Sequence, residues 1–63
     1  MINREEIANL VIKYRAENNL SQQDLAKKLN ISNKTLCHIE NENEKVRKTT
    51  LQKVFLKLKN NNL

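Results

Sequence analysis

Apolar residues recur along the chain in four short blocks, separated by polar stretches rich in Asn. In the first block, Ile7, Leu10, Val11 and Tyr14 stand at i, i+3, i+4 and i+7, the spacing that lines one stripe of an amphipathic helix. Asn3 is placed to cap its start, Glu5 and Glu6 suit the positive end of its dipole, and Asn18-Asn19 can end it because Asn tolerates the left-handed conformation. Ser21-Gln22-Gln23-Asp24 reads as a capping box with Asp in place of the usual Glu, and it opens a short helix whose inner face is Leu25, Ala26 and Leu29. Asn30 stops that helix, and Ile31 is expected to be buried next. Ser32 then caps a third helix with Leu36 and Ile39 inside and Asn33, Lys34, Cys37 and His38 outside. Positions 41–48 form a polar loop with one apolar residue, Val46. Leu51, Val54, Phe55 and Leu58 repeat the helical spacing in a last block, and 60–63 read as a frayed tail.

Composition supports the helical reading. The chain has no Gly, no Pro and only two aromatic residues, Tyr14 and Phe55, so its corners must be turned by Asn instead of the residues that strand-rich folds use. An all-α domain spanning 1–63 follows. A chain of 63 residues buries only about 60% of its unfolded surface, which leaves little room for a desolvated catalytic pocket. No Ser-His-acid or paired-carboxylate arrangement stands out, so an enzyme is not expected. Cys37 is the sole cysteine and His38 the sole histidine, too few ligands for a metal cluster, and no cofactor is expected. Without an apolar leader or a membrane-length run, the expected location is the cytoplasm, with no membrane partner. A chain with no second domain offers no sensor, so no small-molecule ligand is expected either.

Charge changes the picture more than composition does. The net charge is +5, and from position 45 onward there are six basic residues, Lys45, Arg47, Lys48, Lys53, Lys57 and Lys59, with no acid among them. The acids lie earlier, at Glu5, Glu6, Glu17, Asp24, Glu40, Glu42 and Glu44. An anionic partner is implied.

The stretch 22–39 carries the function. Two short helices joined by a tight turn need a small residue where their backbones approach, and Ala26 supplies it. Four residues on, the corner needs a residue tolerant of positive φ, and Asn30 supplies that. Leu25, Leu29, Ile31, Leu36 and Ile39 plug the angle from inside, the sequence form of a helix-turn-helix.

The run IKYRAENNLSQQDLAKKLNISNKTLCHIEN, residues 12–41, resembles the phage repressor and Cro-like (XRE-type) family of helix-turn-helix domains. The marks are the leading Arg, Leu-Ser-Gln, Leu-Ala, Leu-Asn-Ile-Ser and the closing Ile-Glu-Asn, with a weaker match from Thr50-Leu51 to Leu58. The resemblance implies a lambda-repressor-like fold of four helices, a fifth being left open, with the helix-turn-helix at the second and third. Three features depart from the family's pattern. Glu42 stands where Gly is usual, Val46-Arg47 where Pro-Ser is usual, and little chain follows Leu58 for the fifth helix that many members carry.

The family's pattern also implies roles. Asn33, Lys34 and His38 match its base-reading positions, and the chemistry suits them: Asn pairs with adenine N6 and N7, and Lys donates to guanine O6 and N7. Gln22 matches a residue that contacts phosphate and braces the recognition helix. Ser32, Thr35 and Asn41 are placed at the two ends of that helix to reach phosphates, and Lys45, Arg47 and Lys48 to do so from the following loop. Arg15 and Glu40 are expected to pair as orienting residues. Leu56 and Leu63 lie off the main apolar stripe and are the candidates for a homodimer surface. The expected function is sequence-specific binding of double-stranded DNA as a transcriptional regulator, a repressor on a palindromic operator. The competing reading is a protein-interaction module, antitoxin-like, that uses the same fold to bind a toxin, a repressor or RNA polymerase.

Overall fold

The computed structural model describes residues 3–60, and Leu63, one of the two expected dimer residues, lies outside them. Among the described residues there are four α-helices and no strand: α1 (Arg4–Glu17), α2 (Gln22–Leu29), α3 (Asn33–Glu40) and α4 (Lys48–Lys59). Helix α1 packs on both α3 and α4, while α2 packs on α3.

Local chemistry sets the helix starts. The Asn3 side chain accepts the Glu6 N–H at 2.7 Å, with Glu5 and Glu6 in the positively polarised first turn. At α2 the capping box forms in both directions: Ser21 Oγ accepts from Asp24 N at 3.0 Å, and Asp24 Oδ2 accepts from Ser21 N at 3.3 Å. Hydrogen bonding to the Ser21 side chain, and then to its backbone, holds the Asp24 carboxyl below its ordinary range. Ser32 caps α3 by accepting the Thr35 N–H at 3.0 Å. Helix α4 is the exception, because Arg47 stands at its cap position and makes no side-chain cap bond.

The helix ends follow one pattern three times. Asn19 (φ 53°), Asn30 (φ 60°) and Glu42 (φ 58°) each take the left-handed conformation just past a helix. In each case the next N–H reaches back a full turn: Leu20 to Arg15 O, Ile31 to Ala26 O, and Asn43 to His38 O, at 2.9–3.0 Å. These are Schellman turns made without glycine. Two use Asn, which carries a reduced penalty at positive φ; the third uses Glu, which does not.

Ile7, Val11, Leu25, Ala26, Leu29, Leu36, Ile39, Val46, Leu51, Val54 and Leu58 form one buried cluster. Leu10, Tyr14, Leu20, Ile31 and Phe55 flank it, half-buried. Ile31, expected inside, thus sits at the core's edge. Val46 is the loop's only apolar residue, and its burial anchors the 41–47 connection onto the core. Arg4 fastens the same loop from α1: its guanidinium donates to the carbonyl oxygens of Val46 (2.8 Å), Asn43 (3.4 Å) and Glu44 (3.4 Å).

Candidate DNA-binding surface

The surface is built on the two short helices and the loop after them. Ala26 is buried where α2 meets α3, and its carbonyl accepts the Ile31 N–H, so the chain turns within three residues, Asn30, Ile31 and Ser32. Leu25, Leu29, Leu36 and Ile39 lock the inner side of this corner. What remains outside on α3 is polar: Asn33 and Lys34 are exposed at its start, with Cys37 and His38 half-exposed beyond them.

Glu40, the last residue of α3, is the hub that fixes α3 against its neighbours. Arg15 Nη1 lies 2.7 Å from Glu40 Oε2 and 2.9 Å from Oε1, and Arg15 Nε donates to Leu20 O at 3.3 Å. Gln22 Nε2 donates to Glu40 Oε1 at 3.1 Å from the first residue of α2. One carboxylate thus joins α1, α2 and α3, with side chains 27% (Arg15) and 12% (Glu40) exposed.

The expected phosphate-contacting residues fall in two groups. Ser32 and Thr35 are tied to each other by a 2.7 Å hydroxyl–hydroxyl bond at the start of α3. Lys45, Arg47 and Lys48 are exposed along the loop and the start of α4, away from the core. A shallow groove lies between α3 and this loop, lined by Thr35, His38, Lys45, Val46, Arg47 and Thr50. Apart from Val46, its lining side chains carry hydroxyls, an imidazole and two cations. Asn41, at the far end of α3, is exposed and its Nδ2 approaches Cys37 Sγ at 3.5 Å.

Two residues with positional roles carry no local sequence signal. Asn43 holds His38 across the loop, its Nδ2 lying 3.2 Å from the ring Nδ1, and Lys57 donates from α4 to Leu29 O at 3.2 Å. The second contact satisfies a carbonyl at the negative end of α2 with a cation. Both depend on contacts between separate elements, as Arg4 does.

A short helix, a three-residue corner and a second short helix with a polar outer face define a helix-turn-helix protein. Residues 11–59 match the helix-turn-helix family, of the Cro and phage-repressor type, and the chain belongs to that family of DNA-binding regulators. Neither a curated protein nor a solved structure matches it. Among the described residues no helix is long and apolar enough to cross a membrane.

Proposed function

We propose that the protein is a repressor that binds a palindromic operator as a two-fold dimer, with α3 in the major groove of each half-site. The observation that carries this reading is the Glu40 hub, which rigidly presents the exposed start of α3 beside a cationic loop. Asn33 and Lys34 read base edges, together with His38 one turn further on. Ser32, Thr35, Gln22 and Asn41 meet phosphates around α3, and Lys45, Arg47 and Lys48 meet them from the loop, adding affinity that falls as salt rises. Leu56, 49% exposed on the outside of α4, supports a dimer contact there. The protein acts in the cytoplasm, where its operator is.

Selection of bound sites from a random duplex library at near-physiological salt tests this. Two inverted half-sites centred about 10 base pairs apart are expected. In that site Asn33→Ala and Lys34→Ala each relax a specific position at a cost of about 1–3 kcal/mol. Weak binding that enriches no sequence and vanishes as salt rises would overturn the operator reading and favour a protein partner.

A further inference from the structure

We infer that Asn43 is a positioning residue that locks His38 in a single neutral tautomer, Nε2–H, so that α3 presents a hydrogen-bond donor to the duplex at this position. The inference rests on the reading of α3 as the DNA-facing helix.

Three observations fix the ring. First, Asn43 Oδ1 accepts the backbone N–H of Lys45 at 2.9 Å. A backbone N–H can only donate, so the amide oxygen must face Lys45 and the amide nitrogen must face the other way. Second, that nitrogen lies 3.2 Å from His38 Nδ1. An amide NH₂ can only donate, so Nδ1 must offer its lone pair, and in a neutral imidazole the proton then sits on Nε2. Third, the backbone that carries Asn43 is held in place. Its backbone N–H bonds to His38 O at 2.9 Å, and its carbonyl is held by Arg4, which also binds the carbonyls of Glu44 and Val46. The chain of constraint runs from α1, through the loop, to one ring nitrogen on α3.

His38 lines the groove with Thr35, Lys45, Val46, Arg47 and Thr50, and Nε2 has no protein partner among the described residues. A donor flanked by Lys45 and Arg47 selects an acceptor. On the duplex the acceptors are a phosphate oxygen or an acceptor-bearing base edge, guanine O6 and N7, adenine N7 or thymine O4; the cytosine N4 amine is excluded. Without the lock, the ring could present a lone pair instead and the discrimination would be lost.

Long-range ¹H–¹⁵N correlation spectra of the free protein, recorded about two pH units above the ordinary imidazole range, read the tautomer directly. The expected spectrum has a protonated Nε2 and a bare Nδ1. Asn43→Asp keeps the acceptor for Lys45 but turns the facing donor into an acceptor, and it should move the proton to Nδ1. Asn43→Ala should give a mixture. A wild-type ring protonated on Nδ1, or one that Asn43→Asp leaves unchanged, would overturn the inference, with the DNA-binding reading untouched.

Site selection supplies the second arm. His38→Ala should weaken binding about three- to ten-fold. A loss confined to one base pair assigns the acceptor to a base edge, and a uniform loss across sequences assigns it to a phosphate. Wild-type preference for cytosine N4 at that position would overturn the donor role. A ring locked as Nε2–H in a protein that binds no duplex would overturn the functional reading and leave the lock standing.

Discussion

At the scale of single residues, the same chemistry has opposite consequences at different places. Glu40 accepts from Arg15 and Gln22 while largely buried, so removing it leaves the Arg15 guanidinium partly desolvated without its counter-ion. An exposed pair is worth about 1 kcal/mol at most and breaking a fully buried one costs about 3–5 kcal/mol. For this mostly buried pair, Glu40→Ala should destabilise by about 2–3 kcal/mol in urea denaturation, between those limits. An unchanged melting temperature would remove Glu40 from its orienting role. Glu42 is the reverse case, a residue whose replacement should help. Its backbone sits at φ 58°, where a Cβ crowds the following carbonyl at a cost of about 1–2 kcal/mol. Glycine avoids that cost but widens the unfolded ensemble by about 0.4–1 kcal/mol. Glu42→Gly should therefore stabilise by about 0.5–1 kcal/mol net, whereas Asn30→Gly, at φ 60° but starting from a tolerant residue, should gain less. Equal gains at both sites would show that the shared backbone conformation, and not the identity of the side chain, sets the strain.

At the scale of elements, what was legible in the sequence and what was not divide by the range of the contacts. The starts of α1, α2 and α3 follow from Asn3, Ser21 and Ser32, each of which bonds an N–H three residues on. The corner at Asn30 follows from the absence of glycine and the apolar stripes around it. The Arg15–Glu40 contact was legible only through family resemblance, since nothing local links residues 25 apart. Arg4 on the loop, Asn43 on His38 and Lys57 on α2 had no signal at all, because a surface cation or amide looks the same whether or not a carbonyl lies within reach. The start of α4 shows an element built against its own propensity. Arg47 occupies the cap without capping, although Ser, Thr, Asp or Asn there would satisfy an orphan N–H. A cation beside the positive helix end is also electrostatically misplaced. Arg47→Ser should raise stability by about 1 kcal/mol and, on the proposed phosphate contact, lower the magnitude of the salt slope of DNA binding by about 0.9. Greater stability with an unaltered salt slope would mean that Arg47 touches no phosphate.

At the scale of the whole molecule, size dictates how an operator can be read. The chain's Cα extents are 26 × 22 × 17 Å, so even its longest dimension falls short of the ~34 Å that separates successive major-groove faces on one side of a duplex. On the proposed operator one copy would therefore read one half-site, and a pair of half-sites would need two copies. The two large apolar residues left most exposed among the described ones are Ile12, at 46%, and Leu56, at 49%. Ile12 borders a shallow groove with Arg15, Ala16, Asn19 and Leu20, behind the Glu40 hub. Leu56 lies on α4 and is not among the residues lining the groove between α3 and the cationic loop, so a two-fold contact there need not occupy that groove. Because Leu56 is already half in water, Leu56→Gln should change folding stability by no more than about 0.5 kcal/mol. If Leu56 joins the copies, the variant should keep wild-type affinity for an isolated half-site and lose the added affinity for paired ones. Sedimentation equilibrium should then show a dimer for the wild type and a monomer for the variant at the same concentration. Loss of binding to both kinds of site would instead place Leu56 on the DNA side, and loss at neither would move the dimer surface off α4.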